Sequence, residues 1–458
     1  MKRFWLVLLS LGLIVAFSSS AMAVDVKLSG EFYAGGMYLD KTNFTKTTTG
    51  GNPSTAFYYQ RLRARTDFTI TPGLKLITRL DAMERAWGAT RSNPGTALAA
   101  DSAGTVAENE NIAIDWAYID YKSPIGTFLV GYMNYGSTGT IFGNNSQPQG
   151  RIRFNRMFGP INMWASISKV KENSKTAINP VPPATAAFAD SDNDVYHLEG
   201  VYNWKNGRAG LNVNYYNYAN TRPAAVPPAL PNTGSYKRTY FLFTPYVIAK
   251  FGPVSVQAEF NYLNGNDKYE DGVVKAPGVD KVTLENISAY IDATANFGMF
   301  YAGGSIAYVS GDDPGSNDKT EGGLINGGYD WNPCLIMFNY YDRGKWAGNL
   351  TGYGTSVDNG RMANAWFFQF RGGVKPIDKL DVMASLSYAN ADKKPANYLY
   401  NDYGWEVDLT ATYKITNNLS YMVGAGYLFT GKYYKANVAV NNELNDDFLV
   451  INKLTLTF

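Results

Sequence analysis

From about residue 26 to the last residue, apolar and polar side chains alternate along most of the chain. In the final stretch, INKLTLTF, Leu454, Leu456 and Phe458 alternate with Lys453, Thr455 and Thr457. A period of two is that of a strand with two different faces. In RLRARTDFTI, the residues Arg61, Arg63, Arg65, Asp67 and Thr69 share one face, and Leu62, Ala64, Phe68 and Ile70 share the other. VSVQAEFNY from Val254 and WEVDLTATY from Trp405 split the same way. The alternation predicts β-strands of 9 to 15 residues, and these come in pairs. Within a pair the connection is short and carries Gly, Pro or Asn: TPGL at Thr71, SPIG at Ser123, FGPI at Phe158, WKNG at Trp204, FGPV at Phe251, NFGM at Asn296, KPID at Lys375 and TNN at Thr416. Between pairs the connections are long and polar, centred on residues 43–54, 86–109, 134–150, 171–193, 219–235, 265–281, 309–362, 391–402 and 431–446.

Eight short turns thus alternate with nine long loops, which puts all short turns at one end of the sheet and all long loops at the other. That asymmetry predicts an all-β fold, a transmembrane antiparallel up-and-down β-barrel with short periplasmic turns and long extracellular loops. The count from Val26 to Phe458 is 18 strands. The stretch 309–362 is long for a loop and contains CLIMFNYY from Cys334, so 16 and 20 strands stay open. Closure removes the sheet edges, and in lipid it is obligatory because backbone N–H and C=O groups find no water there. An Arg facing lipid at mid-membrane costs about 2–4 kcal/mol, so Arg61, Arg63 and Arg65 must line the lumen. The last strand is expected to pair with the first, its Phe448, Val450, Leu454, Leu456 and Phe458 toward lipid, with Asn452 breaking that apolar series.

The N-terminus adds an export signal. Lys2 and Arg3 precede FWLVLLSLGLIVAF, and Ala21-Met22-Ala23 follows, which predicts a signal peptide over 1–23, cleaved after Ala23. The apolar run of 14 residues is too short to span a bilayer as a helix. Residues 24–458 then form a single barrel domain. Of the 41 basic residues, Lys2 and Arg3 leave with the signal, and the remaining 39 match the 39 acidic ones. A neutral mature chain without a dense basic run gives no reason to expect nucleic acid as a partner. One cysteine, Cys334, excludes a disulfide framework; it fits either a buried small residue or an exposed thiol. One histidine, His197, excludes bis-histidine haem and His-rich zinc sites, and no GxSxG supplies a nucleophile elbow. His197 reads as an ordinary strand side chain, and neither catalytic residues, cofactor nor metal site is expected. The 34 Tyr, 24 Phe and 9 Trp suit a barrel with aromatic girdles, where most of the tyrosines are expected rather than in a sugar-binding slide. Acidic stretches at Asp267 and Gly311 read as solvated loop charge, with divalent bridging to lipopolysaccharide as the alternative.

AYIDYKSPIGTFLVGY from Ala117 and the terminal LTLTF resemble segments of the Gram-negative outer-membrane porins, and the organisation is similar over the whole mature chain. Among these, the chain resembles the larger porins of metal-reducing and related bacteria. The resemblance implies a bacterial outer-membrane location with multiple crossings, a homotrimer, a terminal aromatic read by the outer-membrane assembly machinery, and a third loop (134–150) folded into the barrel. General porins carry acidic residues in that loop, whereas NYGSTGTIFGNNSQPQG has no charge.

The parity of the strands places Lys75, Arg79, Asp81 and Arg85 inward beside Arg61, Arg63 and Arg65, with Arg151 and Arg153 further round. These nine are the expected pore-lining residues. A basic wall opposite an uncharged loop suggests a mildly anion-preferring channel for small hydrophilic solutes; the bland reading is that the charges pair with Asp67, Asp81, Glu199 or Glu259 and only hydrate the interior. The competing function is a barrel that sheathes a partner such as a multihaem cytochrome. With no CxxCH in the chain, any haem would belong to that partner.

Overall fold

The computed structural model describes residues 24–46, 53–88, 112–172, 192–219, 236–269, 279–347, 360–437 and 439–458. The expected signal segment, 1–23, lies outside these, as do the middles of several long loops. Strands β1 (Asp25–Leu39), β2 (Thr55–Thr71), β3 (Leu74–Ala86), β4 (Ile112–Ser123), β5 (Gly126–Tyr135) and β6 (Gln147–Phe158) open the sheet. It continues through β7 (Ile161–Lys171), β8 (Asn193–Trp204), β9 (Gly207–Tyr218), β10 (Tyr236–Phe251), β11 (Val254–Tyr269), β12 (Lys281–Phe297) and β13 (Phe300–Val309). The two-residue β14 (Lys319–Thr320) lies parallel to β12, and the wall resumes with β15 (Ala365–Ile377), β16 (Leu380–Ala391), β17 (Asp402–Lys414), β18 (Leu419–Thr430) and β19 (Asp447–Thr457).

Leaving β14 aside, 18 antiparallel strands make the wall, each paired with its neighbours in sequence. The wall closes between β19 and β1 in the register Glu31↔Thr457 to Leu39↔Leu449. At the end of this seam Gly30 N donates to Phe458 O at 2.8 Å and Phe458 N to Gly30 O at 3.0 Å. The open question at 309–362 is resolved: β13 pairs directly with β15, and CLIMFNYY is not a wall strand.

The molecule is apolar outside and polar within. Ile114 and Phe370 are 70% and 66% exposed on the outer face, while inward Arg61 and Glu199 are 6% and 3% exposed. Phe158, Trp204, Phe251, Phe297 and Phe300 stand exposed beside the short turns, as an interfacial girdle requires. The tyrosines divide between the two faces: Tyr121, Tyr132, Tyr202, Tyr413 and Tyr421 among others are exposed. Tyr33, Tyr59, Tyr240, Tyr246, Tyr290, Tyr403, Tyr433 and Tyr434 are buried. Their place inside has a packing reason, because the barrel holds an apolar core within its lumen. Residues Cys334–Phe338 pack there against Met37, Leu39, Phe367, Leu449 and Ile451. Each fully buried side chain such as Ile336 or Phe338 contributes about 1.5–3 kcal/mol.

Candidate functional site

Two long connections enter the lumen. The first joins β5 to β6 across residues 136–146 and crosses to the opposite wall, where Glu259 of β11 receives it. Both the backbone N–H and the hydroxyl of Thr140 donate to Glu259 Oε2 at 2.9 Å. Gly139 makes this approach at φ +79°, and a Cβ there would stand 2.6 Å from the same oxygen, so a side chain is excluded twice over. Phe142, fully buried, stacks on Tyr290 with ring centroids 5.0 Å apart. Asn144 fixes the turn by donating to Thr140 O at 2.6 Å and accepting from Thr138 N at 2.8 Å.

The second connection runs from residue 310 to 364. Its apolar centre sits against β15 to β19, and Glu406 of β17 holds it by the backbone: Ile336 N and Met337 N each donate to one of its carboxylate oxygens at 2.6 Å. Asn339 then caps the helical turn Tyr340–Gly344 through Asp342 N and Arg343 N. Asp342 accepts from Tyr59 Oη at 3.1 Å and pairs with Lys453 at 2.5 Å, and Lys345 pairs with Glu84. The two loops also join each other. Gly143 N donates to Gly327 O at 3.2 Å, Asp330 N donates to Asn144 O at 3.0 Å, and Ser146 bonds the Asp330 carboxylate. Burial pushes the Tyr341 hydroxyl well above its ordinary range, so it stays protonated and donates to Asp330 Oδ1 at 2.7 Å. Together the described parts of the loops form a partial partition within the lumen.

On one side of this partition a cavity of about 540 Å³ is lined by Arg61, Arg63, Arg65, Arg79, Trp116, Tyr341 and Lys453. Each of the four arginines has a carboxylate partner. Arg63 grips Asp81 with two bonds of 2.6 Å, Arg65 grips Asp67 at 2.7 and 3.1 Å, and Arg79 grips Asp115. Arg61 lies 3.2 Å from Glu31 and 3.5 Å from Glu84. Lys75, opposite Thr69 and Asp120 near the short turns, completes the row. Arg85 does not belong to it. Met83, at φ +53°, breaks the β2–β3 register, so that Arg85 falls opposite Gln60 on the outward parity and Glu84 turns inward to Arg61.

Arg151 and Arg153 differ from that row. Arg151 donates to Ser166 Oγ at 2.9 Å and to Asn134 O at 3.2 Å, and Arg153 lies over the Trp164 ring at 3.7 Å. Among the described residues neither forms an ion pair, and the buried Nε of Arg153 has no hydrogen-bond partner. Trp164 stacks in turn on His197, which faces the lumen and meets Asn214 at 2.6 Å and Glu199 at 3.6 Å. Arg151 and His197 also border a smaller polar cavity of about 140 Å³, closed on its other side by the 136–146 loop and Glu259.

Sequence reasoning missed Glu259, Glu406, Asp342 and Asp330 as loop anchors. A signal was present for part of this: FLVI from Phe448 abandons strict alternation where Leu449 and Ile451 turn inward to the inserted loop.

A closed barrel of 18 strands with an apolar belt and a polar lumen narrowed by its own loops defines an outer-membrane channel for small solutes. The Gram-negative porin model matches residues 10–370, and the chain belongs to that family. Among solved structures it is similar in fold to OccK9 (OpdG) of Pseudomonas aeruginosa, at 14% identity and TM-score 0.50, over 94% of this chain and 99% of that one. A BenF-like porin from Pseudomonas fluorescens Pf-5 gives 12% identity and TM-score 0.50 over 94% and 99%. No curated protein matches the sequence.

Replacing Glu406 by Ala removes the acceptor of two backbone N–H groups, at about 1–3 kcal/mol for each buried donor left unpaired. Planar-bilayer recordings of Glu406→Ala are expected to show higher single-channel conductance and more open-state noise. Unchanged conductance and noise would refute the anchoring role.

Proposed function

We propose that this porin is a passive diffusion channel with a mild preference for anions, in which Arg151 and Arg153 supply the preference. One observation carries the reading: these two guanidinium groups stand on the same face of β6 and, among the described residues, form no ion pair, with Glu199 the carboxylate whose charge reaches both and a loop of no charge beside them. The paired arginines, Arg61, Arg63, Arg65 and Arg79, together with Asp81 and Lys75, hydrate the wall and contribute little net field. The mechanism requires no catalytic residue or cofactor; lumen width and charge select the solute. The alternative of a barrel sheathing a multihaem cytochrome finds no support in a lumen already crossed by two of its own loops.

Removing a positive charge at about 4 Å from a passing ion in water alters its energy by about 1 kcal/mol, roughly fivefold in permeability ratio for each charge removed. Reversal potentials in a salt gradient are therefore expected to show an anion preference in the native channel that falls severalfold in Arg151→Gln/Arg153→Gln. A cation-preferring native channel, or a double variant with an unaltered ratio, would defeat the reading. Conductance steps grouped in threes in the same recordings support the homotrimer that porin membership suggests, and single independent steps count against it.

Export by a signal peptide over 1–23 and insertion by the outer-membrane assembly machinery complete the proposal, with the barrel surface meeting lipid and lipopolysaccharide. Phe458→Ala keeps the backbone bonds of the seam and removes only the ring. If the ring is the insertion signal, this variant accumulates in the periplasm at reduced outer-membrane level while its inserted fraction conducts normally. Native outer-membrane levels would contradict that role.

A further inference from the structure

Beneath the inserted loop, the single thiol of the chain meets two wall carboxylates. Cys334 comes from the 310–364 connection, Glu406 and Asp408 from β17, and one donor atom from each lies within 4.8 Å of the others. They are 3%, 0% and 3% exposed. Asp408 Oδ2 accepts from Ser385 at 3.3 Å, but Oδ1 has no hydrogen-bond partner. Gly426 of β18 lets that oxygen come close to the wall: a Cβ on Gly426 would stand 2.6 Å from Asp408 Oδ1 and 3.4 Å from Glu406 Oε1. Cys334 Sγ closes the far side, donating to Ser387 Oγ at 3.3 Å.

With both carboxyls ionised, the charges of this cluster would be unbalanced. Among the described residues no ion pair reaches Glu406 or Asp408. Two adjacent buried carboxylates without a cation cost several kcal/mol each. A divalent ion balances both at once. The donor set decides which kind: one thiolate with two carboxylates suits a borderline ion such as Zn²⁺ or Co²⁺, whereas Ca²⁺ and Mg²⁺ take oxygen alone. With metal–sulfur near 2.3 Å and metal–oxygen near 2.0–2.2 Å, donors around one ion lie roughly 3.3–4.4 Å apart, within the 4.8 Å that bounds this cluster.

We propose that Cys334, Glu406 and Asp408 form a binding site for a divalent transition ion of the Zn²⁺ class, which staples the inserted loop to β17. On binding, the Cys334 thiol gives its proton to water and the thiolate completes the site. The proposal does not depend on the ion preference of the channel.

The test uses the detergent-purified, folded barrel, stripped with chelator and titrated with Co²⁺, then loaded with Zn²⁺ and analysed for bound metal after gel filtration. One equivalent of each ion is expected, with a thiolate-to-cobalt charge-transfer band. Cys334→Ser should lose that band, and Asp408→Asn should lose stoichiometric Zn²⁺, each still giving the heat-shifted band of a folded barrel. A native barrel that shows no cobalt band and retains no Zn²⁺ overturns the site, leaving the two carboxyls to share a proton. Binding that persists unchanged in both variants also overturns it. Should either variant fail to fold, the native titration decides alone.

Discussion

In hydrocarbon a backbone N–H or C=O has no water to turn to, and each one left unpaired costs several kcal/mol. Every other feature of this porin follows from that constraint. It forces β19 to find β1, and the ladder from Glu31↔Thr457 to Leu39↔Leu449 satisfies the edge groups of both. Once the sheet is closed, strand parity is fixed around the whole circumference. The lipid face takes residues such as Ile114, Leu198 and Phe370, and charged side chains such as Arg61, Glu199 and Glu406 turn to the lumen.

The same need for partners explains how the interior is filled. A loop folded into the barrel brings backbone donors away from bulk water, and these must be received by the wall. Two carboxylates serve as receivers. Glu259 accepts from Thr140, and Glu406 accepts from Ile336 and Met337, so each inserted connection is held through its main chain at a buried acid. Apolar packing adds to the second anchor, where Leu335, Ile336 and Phe338 lie on Leu449, Ile451 and Phe367. The space left in the lumen therefore lies beside two joined loops, with the paired arginines bordering one cavity and Arg151 another.

Much of the architecture could be read from the sequence, because period-two alternation and the short–long rhythm of connections are local signals of a global arrangement. Eighteen wall strands, their short turns and the β1–β19 seam follow from them. The inward positions of Arg61, Arg63, Arg65, Arg79, Asp81, Arg151 and Arg153 follow from parity as well. Arg85 escaped because one residue at positive φ, Met83, shifts the register and reverses every side chain beyond it. The pairing of the arginines was legible in part: Asp67 and Asp81 were among the candidate partners and take Arg65 and Arg63, whereas Asp115 and Glu31 come within reach of Arg79 and Arg61 only across neighbouring strands, which the sequence does not mark. The apolar run at Cys334 carries no mark that separates a wall strand from a lumenal plug, since both bury aliphatic side chains. Which tyrosines leave the girdles could not be read either: Tyr59 and Tyr403 pack inside against the inserted loop, where a ring with a hydroxyl serves as well as at a lipid interface.

The central claim is that the channel's width is set by the inserted 310–364 connection rather than by its 18-strand wall. Graded neutral polymers added to planar-bilayer recordings measure that width directly. They would be compared on the native protein and on a chain in which residues 321–360 are replaced by a short Gly-Ser link. The account gives a low cut-off for the native channel and a severalfold larger one, with a matching rise in conductance, for the shortened chain. Equal cut-offs in two folded barrels would contradict it.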